Sequence, residues 1–309
     1  MAGRSSLTVP QYVEAYLEAG TRAGTARLLH KDERNLRRWV VERKEEVDLE
    51  IARRRKSMPD IPQGETFVHD GLGEHFKIGI LADTHLGSKA QQLTYLNDFY
   101  DYGVSRGVSE FYHAGDLLAG VDVFPGQTRE IFLHDYDSQV EYAINNYPKR
   151  DGVTSHIISG NHDMVFAKRK GGDPVRAISV MRPDIEYCGA YSAWFKLSDM
   201  VTMYLLHPDG GSAYASSYRL QKTIESFEGG RKPTILVLGH FHRRCYVVER
   251  NVHGLLGAAF EAQTDFLRRK AIQPVIGGTI LEICLNKKGE IHNILVDFRQ
   301  YLVPIGGDY

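Results

Sequence analysis

The sequence predicts a mixed α/β fold, in which an α/β sandwich follows a small all-helical domain. Residues 9–51 carry the apolar spacing of amphipathic helices, three or four positions apart. From residue 76 onward, short apolar strands alternate with helical stretches, which is typical of an α/β sandwich. Between them, residues 57–74 contain two prolines and three glycines without apolar periodicity. We therefore expect domains at 1–56 and 76–309, joined by a linker at 57–75.

The overall composition is that of an ordinary soluble globular protein, with 42% hydrophobic and 25% charged residues and a net charge of −1. The three cysteines, Cys188, Cys245 and Cys284, form no CxxC pair, which fits a reducing compartment. We find neither a signal peptide nor an apolar run approaching the ~20 residues that a membrane helix requires. The expectation is a cytoplasmic protein with no membrane partner; the oligomeric state is not predicted.

Three short helices are predicted in the first domain. The first covers residues 9–19, and Thr21 can cap a second helix that runs through Leu29. Asp32 can cap a third helix that continues to about Ile51. This arrangement of a tight second turn and a third helix resembles a helix-turn-helix module, whose third helix lies in the major groove of DNA.

The third predicted helix presents an arginine-rich face, with Arg34, Arg37 and Arg38. Residues 1–60 contain 13 Lys and Arg against 10 Asp and Glu, whereas the rest of the chain contains 25 against 29. We expect this face to bind DNA phosphates. The alternative is a small helical bundle whose arginines are merely solvated.

Five predicted strands of the second domain end next to a residue that can bind a metal. These strands are Lys77–Ala82, Glu110–Ala114, His156–Ile158, Met203–Leu206 and Thr234–Leu238. The polar residues at their ends are Asp83, His85, Asp116, Asn161, His162, Asp163, His207, His240 and His242. Any one of them alone could belong to a turn or be a buried structural histidine. Together they indicate a site, because the carboxyl ends of strands share one rim of an α/β fold.

The donor types indicate two divalent cations at this rim. Carboxylates, an amide and imidazoles suit divalent metals, and no thiolate is placed to form a structural zinc site. The order of the motifs resembles the calcineurin-like metallophosphoesterase family over residues 76 to 300: Asp83-x-His85, Gly115-Asp116, Gly160-Asn161-His162-Asp163, His207 and Gly239-His240-x-His242. The resemblance implies a four-layer α/β/β/α sandwich.

The same resemblance implies the roles of individual residues. One metal would be held by Asp83, His85, Asp116 and His242. The other would be held by Asp116, Asn161, His207 and His240, with Asp116 bridging. Mn is the first expectation, and Mg, Fe or Zn are alternatives. A bridging hydroxide would attack phosphorus, and His162 would be the catalytic histidine, supported by Asp163.

The stretch after Asp116 indicates the substrate. Residues 115–127, with 135–139, are similar to the exonuclease small subunit of archaeal family-D DNA polymerase. Ala119 stands where the double-strand-break repair nuclease has a histidine, so a match to that enzyme is not expected. The chain as a whole resembles phosphoesterases of tailed phages with a helix-turn-helix module in front, which would place it in the cytoplasm of the host cell.

Basic and aromatic residues near the rim agree with a nucleic acid partner. Lys168, Arg169 and Lys170 follow the third motif, and further basic clusters occur at 243–244 and 268–270. They are expected to contact phosphates, the alternative being ordinary surface charge. Tyr214 and Tyr218 can stack bases, or they pack inside the protein.

These observations predict a two-metal phosphodiesterase that acts on DNA. Such an enzyme is a nuclease, and exonuclease action is one of the forms that its activity can take. RNA is the alternative nucleic acid. Another alternative is a phosphodiesterase of cyclic or dinucleotide signals, which needs a closed and small pocket. A third is a DNA-binding regulator with a weakly active phosphoesterase domain; the complete set of metal-binding residue types argues against it.

Overall fold

The structure, a computed structural model, describes residues 7–19, 22–47, 50, 66–69, 72–169, 171–211, 213–227 and 232–309. The chain divides into two units, Met1–Gln63 and Gly64–Tyr309. Among the residues described, no helix is long and apolar enough to cross a membrane.

The described part of the first unit contains α1 (Val9–Ala19), α2 (Arg22–Leu28) and α3 (Glu33–Glu42). Tyr12, Val13, Ala26 and Leu36 of these helices form a common core with Val47, from the helical residues 44–47. The predicted cap of the third helix is confirmed, because the Asp32 carboxylate accepts the Asn35 N–H at 3.0 Å. The predicted cap Thr21 lies outside the described residues.

The third helix ends earlier than predicted. Arg43 leaves helical geometry at φ −121° and ψ 27°, and its N–H bonds the carbonyl of Val40 three residues back. Such a tight closing bond is typical of a helix end. Helical residues resume at 44–47, so the segment towards Ile51 is not one continuous helix.

Two six-stranded sheets form the centre of the second unit as described. One has the order β12-β11-β2-β3-β4-β5 and consists of β2 (His75–Leu81), β3 (Glu110–His113), β4 (Thr154–Ser159), β5 (Ile185–Ala190), β11 (Ile276–Leu285) and β12 (Ile291–Tyr301). The other has the order β1-β6-β7-β8-β10-β9 and consists of β1 (Thr66–Val68), β6 (Ser192–Lys196), β7 (Thr202–Leu206), β8 (Ile235–Leu238), β9 (Cys245–Glu249) and β10 (Val252–Leu256).

Helices cover the outer faces of both sheets. They are α4 (Leu93–Ser105), α5 (Tyr136–Asn146), α6 (Met164–Lys168), α7 (Pro174–Met181), α8 (Tyr218–Ser226) and α9 (Asp265–Arg269), and a 3₁₀ turn spans Gln127–Arg129. Because successive strand residues point to opposite faces, each strand contributes to two cores. Ile80 faces the core between the sheets, whereas Leu81 faces the core under α4, α5 and α7. The predicted α/β/β/α sandwich is therefore confirmed.

Strand direction determines where the polar strand ends lie. In the first sheet β2, β3, β4 and β5 run parallel, and in the second β7, β8 and β10 run parallel. Parallel strands bring their carboxyl ends to the same edge of a sheet. The strand ends that carry the predicted ligands are thus collected at this edge.

One strand lies inside the segment predicted as a linker. Thr66–Val68 forms β1 and pairs in parallel with β6, with Phe67 opposite Phe195 and the two rings 5.4 Å apart. A three-residue strand flanked by glycines and prolines shows no periodicity of its own, so its partner decides its conformation. The linker prediction was wrong for these residues.

Candidate metal centre and active site

The seven residues predicted as metal ligands lie together, at the carboxyl ends of β2, β3, β4, β7 and β8. Five of them are buried: Asp83, His85, Asp116, His207 and His242. The two sheets meet here, since the Asp116 carboxylate after β3 lies 3.2 Å from His207 Nε2 after β7. Strands of both sheets therefore supply one cluster of donor atoms.

The backbone at this rim is strained in the same way at five positions. The φ angle is positive at Asp83, His85, Asp116, His240 and His242, with values between 44° and 78°. Positive φ is uncommon for residues other than glycine, and such strain is concentrated at functional sites. Each of these residues turns the chain sharply where its strand ends.

Two glycines of the motifs are required by close approach. A Cβ at Gly160 would collide with the Asp116 carboxylate, and a Cβ at Gly239 would collide with the Ala114 carbonyl and the His207 ring. Glycine lets the backbone approach a neighbouring group this closely. The Gly-Asn and Gly-His spacing of the motifs thus follows from packing around the donor atoms.

The first group of donor atoms comes from Asp83, His85, Asp116 and His242. His85 Nε2 and His242 Nε2 face each other at 3.0 Å, and His242 Nε2 lies 3.5 Å from Asp83 Oδ1. His85 Nε2 lies 3.9 Å from Asp116 Oδ2. Burial lowers the pKa of His242 to about 3 and lowers the pKa of His85 well below its usual value. Both imidazoles are therefore neutral and can bind a cation through a lone pair.

The second group comes from Asp116, Asn161, His207 and His240. The Asn161 carbonyl oxygen lies 3.0 Å from His207 Nε2 and 2.9 Å from His240 Nδ1. With the Asp116 carboxylate 3.2 Å from the same His207 nitrogen, three donor types converge. Asp116 belongs to both groups.

Backbone carbonyls behind the second group determine which ring nitrogens face inward. His207 Nδ1 donates to the Ala114 carbonyl at 2.8 Å, and His240 Nε2 donates to the Gly210 carbonyl at 2.7 Å. A carbonyl only accepts, so each of these nitrogens carries a proton and the other ring nitrogen faces the donor cluster. Although burial opposes it, the Asp116 carboxylate raises the pKa of His207 to about 9, so a cation bound there must displace a proton from His207 Nε2.

The donor set fits two divalent cations. Two ligand atoms that bind one first-row ion at about 2.0–2.2 Å lie roughly 3–4 Å apart. The closest separations within the two groups range from 2.9 to 3.9 Å. Carboxylate, amide and imidazole donors are shared by sites for several divalent metals, so the chemistry of the residues does not select one.

His162 lies beside both groups and faces a cleft. Its ring centroid is 4.4 Å from that of His85, and its Nδ1 donates to the Ala119 carbonyl at 2.6 Å. The side chain is half-buried and forms part of the cleft wall. Since Nδ1 is occupied by the carbonyl, Nε2 is the nitrogen available to a bound group.

Asp163 does not support the His162 ring as predicted. Its fully buried carboxylate accepts the backbone N–H groups of Leu117 at 3.1 Å, Leu118 at 2.8 Å and Gly160 at 2.8 Å. Burial, the largest influence, raises the pKa of Asp163 to about 8, while the N–H groups of Gly160 and Leu118 lower it. Asp163 joins the loops after β3 and β4, so it is a positioning residue and the catalytic prediction for it is corrected.

Glu261 is a site residue that the sequence did not reveal. It is buried after β10, and its carboxylate lies 3.8 Å from His242 Nδ1 and 4.0 Å from His85 Nε2. It also accepts the Ser88 hydroxyl at 2.6 Å. His242 Nδ1 has no hydrogen-bond partner among the described residues. The available signal was a sixth apolar run, Val252–Leu256, which is followed by Gly257 and, four residues later, by the carboxylate of Glu261.

Glu261→Gln is expected to weaken the binding of the first cation by roughly 10- to 100-fold, the usual effect of losing a charged partner behind a ligating histidine. Burial raises the pKa of Glu261 to about 8, and a cation at the first group would hold its carboxylate ionised. The mutation removes that charge but keeps the side-chain volume and a bonding partner for Ser88. Mn²⁺ titration by calorimetry measures the affinity, and the thermal unfolding midpoint reports the fold. Glu282→Gln, in β11 and bonded to His75, is the matched control. Unchanged Mn²⁺ affinity in Glu261→Gln would remove this residue from the site.

A cleft of about 550 Å³ opens over the donor atoms. Its floor includes His85, Asp116, Asn161, His240 and His242, and its walls are largely apolar and aromatic. Pockets of roughly 300–1,000 Å³ take small molecules or single groups of a larger ligand.

The predicted phosphate-binding residues are distributed over several places. Arg34, Arg37 and Arg38 are exposed on α3 of the first unit. Lys168 and Arg169 end α6, where Arg169 forms an ion pair with Asp122 at 3.1 Å. Lys170 lies outside the described residues. The basic side chains that line the cleft are Arg243 and Lys270.

Comparison with known proteins finds similar sequences among archaeal DNA polymerase II small subunits. The chain is 23% identical over 252 residues to the DNA polymerase II small subunit of Methanothermobacter thermautotrophicus, covering 65% of this chain and 51% of that protein. It is 26% identical over 248 residues to the same subunit of Methanocaldococcus jannaschii, covering 66% and 41%. The chain thus spans about half the length of the relatives it matches.

A solved structure described as a novel archaeal phosphodiesterase is 16% identical, covers 72% of this chain and 99% of its own, and has a TM-score of 0.41. The model of the calcineurin-like phosphoesterases matches residues 76–269. That range contains every residue of the two donor groups and most of the sandwich that positions them. The chain therefore belongs to the calcineurin-like phosphoesterase family.

Proposed function

We propose that this protein is a metal-dependent phosphodiesterase that hydrolyses DNA. The observation that carries the proposal is the convergence of two donor groups that share Asp116, directly beside His162 and below an accessible cleft. Relatives named as DNA polymerase subunits support DNA as the substrate. Two divalent cations would supply a Lewis acid for the phosphoryl oxygens and an activated water at neutral pH.

The residues of the chain would perform three tasks in this reaction. Asp116 and Asn161 contribute oxygen donors from neighbouring strand ends, so the reacting phosphate has one defined position. Arg243 and Lys270 add positive charge at the cleft wall for the adjoining phosphates. His162, with Nδ1–H bonded to Ala119, can carry a proton on Nε2 and deliver it to the leaving oxygen.

One assay tests the proposal and separates it from its alternatives. The purified protein is incubated in Mn²⁺ with end-labelled single-stranded DNA, double-stranded DNA and a cyclic dinucleotide. Cleavage of DNA is the expected result. Hydrolysis of the cyclic dinucleotide alone would favour a signalling phosphodiesterase, which the cleft volume of about 550 Å³ also accommodates. Binding of DNA without hydrolysis of any diester would favour a DNA-binding regulator.

The first unit is proposed to bring DNA to this site. Deleting residues 1–63 leaves β1 and both donor groups in place, so hydrolysis of a small chromogenic diester is expected to stay within about twofold of the full chain. DNA affinity should fall, and the slope of log affinity against log salt should become shallower by roughly 0.7–0.9 for each lost phosphate contact. Fluorescence anisotropy over a salt series measures both quantities.

A double alanine variant tests whether the loss of DNA affinity comes from the arginine side chains of α3. Arg37→Ala with Arg38→Ala should reproduce part of the loss in the full chain, without changing turnover of the small diester. The matched control is Lys287→Ala with Lys288→Ala, in the exposed turn between β11 and β12. Equal degradation of DNA by the truncated and full chains at every salt concentration would contradict a role in delivery.

A further inference from the structure

An aromatic pair lies beside the proposed catalytic histidine. Phe124, in the loop after β3, stacks on Phe266 at the start of α9, with ring centroids 4.0 Å apart and planes at 20°. The Phe124 ring is 6.4 Å from that of His162. Both rings are half-buried and line the cleft. A π surface is therefore available within reach of the reacting phosphate.

Apolar side chains surround part of this pair. Val123, Ile131, Leu267 and Ile272 line the cleft, together with the polar side chains of Gln127, Glu130, Thr264 and Lys270. A charged phosphate gains nothing from apolar side chains, whereas a nucleobase has a π face that stacks on aromatic rings. The wall thus fits the base of the nucleotide whose phosphate lies at the donor groups.

Hydrogen bonds hold the segments that carry Phe124 and Phe266 in place next to His162. The Gln127 side chain accepts the Val123 N–H and donates to the Ala119 carbonyl, both at 2.8 Å. The same carbonyl holds the His162 ring. Glu130 accepts the Phe266 N–H at 2.8 Å. A preorganised surface loses little conformational entropy when a ligand binds.

Positive charge accompanies the aromatic wall. Lys270 Nζ lies 5.8 Å from the centre of the Phe266 ring, and Arg243 lines the cleft as well. In the part of the chain that the structure describes, neither side chain forms an ion pair. Arg243 Nη1 donates to the Ala213 carbonyl and the Ser216 hydroxyl, both at 3.4 Å, whereas Lys270 keeps its ammonium for the phosphates that flank a stacked base. Tyr214, fully exposed at the cleft, offers a further ring.

The size of the cleft determines the form of the nucleic acid. A volume of about 550 Å³ accepts one or two unpaired nucleotides, and a paired base must leave its duplex before a pocket of this kind can hold it. We propose that Phe124 and Phe266 form a stacking platform for an unpaired nucleobase, so that single-stranded DNA is preferred over duplex DNA. This inference rests on the proposed function.

Two esters with the same leaving group test the platform. p-Nitrophenyl thymidine 5′-phosphate contains a base, and p-nitrophenyl methylphosphate does not. The ratio of their kcat/KM values measures the contribution of the base alone. A mutation that disturbs phosphodiester hydrolysis itself lowers both values equally and leaves the ratio unchanged. Phe266→Ala is expected to lower this ratio roughly 5- to 150-fold, the effect of losing one base–aromatic stack. Phe266→Leu, which keeps apolar volume but removes the π face, should show most of the same loss.

The matched control is a second aromatic pair outside the cleft. Tyr309 stacks on Phe132 with centroids 4.5 Å apart and planes at 20°, almost the geometry of the platform. Tyr309→Leu should therefore leave the ratio unchanged. If both Phe266 variants cleave the two esters with the wild-type ratio, the platform is refuted while the phosphodiesterase stands.

A binding measurement keeps the test independent of turnover. A short single strand containing 2-aminopurine is titrated in Ca²⁺, and stacking of that base is read as fluorescence quenching. The wild type should quench the base, and the Phe266 variants should bind roughly 5- to 150-fold more weakly. Equal quenching and affinity in all variants overturns the platform. Failure of the wild type to cleave either ester or DNA would instead refute the proposed function. The binding result would still show whether Phe124 and Phe266 stack an unpaired base.

Discussion

Asp116→Asn is expected to abolish hydrolysis and to weaken the binding of both cations. The buried carboxylate uses Oδ1 to accept the His162 N–H at 2.8 Å and places Oδ2 3.2 Å from His207 Nε2. An amide supplies one oxygen, so its NH₂ group must face either a backbone N–H or a ring nitrogen. The substitution also removes the negative charge that the two donor groups share. Losing several kcal/mol of this stabilisation corresponds to at least about a 10³-fold lower rate.

Elemental analysis of the purified variant measures the number of ions bound per chain, and chromogenic diester hydrolysis measures the rate. Asp122→Asn is the matched control, because Asp122 lies on the same loop but is exposed and pairs with Arg169. It should keep both ions and full activity. Two ions per chain in Asp116→Asn, bound with wild-type affinity, would exclude Asp116 as the shared ligand.

His162→Gln is expected to keep both cations but to lose roughly 10²- to 10⁴-fold in kcat, the usual contribution of a positioned general acid. Glutamine can still donate to the Ala119 carbonyl, which His162 Nδ1 contacts at 2.6 Å, so the loop keeps its anchor. It cannot carry a proton on the atom that replaces Nε2. Stopped assays on DNA and on nitrophenyl esters measure the loss.

The leaving group distinguishes proton donation from a structural role. A nitrophenolate leaves without a proton, so its ester should lose less activity than DNA, whose alkoxide leaving group needs one. His134→Gln, at an exposed histidine of the loop before α5, is the control and should behave as the wild type. Full activity of His162→Gln on DNA would assign the proton transfer to another group.

Local sequence patterns were sufficient for the order and type of the main elements. A short apolar run followed by a polar residue predicts a buried strand with its turn, and β2, β3, β4, β7 and β8 all obey this pattern. A glycine precedes the polar residue after β3, β4 and β8. The parallel strand order then follows from the intervening helices, so the donor residues could be expected on one rim. The capping aspartate Asp32 is equally local, because its partner Asn35 is three residues away.

Other strands could not be predicted because their own residues do not require them. Phe67 in β1 becomes extended only through its partner β6. The hairpin of β9 and β10 turns at Arg250 and Asn251, both with positive φ, a geometry that arginine does not signal. In such segments the energy comes from cross-strand contacts with distant parts of the chain, and local propensity contributes little.

The sequence by itself determined which side chains stand at the strand ends and therefore that a cluster of metal donors is expected. The tertiary structure alone decided which atom each polar group meets. Asp163 directly follows His162 in the chain, yet it bonds the backbone of Leu117 and Leu118, because the loop after β3 lies against it. Glu261 reaches the donor group only because β10 lies next to β8. A buried polar group is satisfied by the nearest partner in space, and that partner is set by how the two sheets pack.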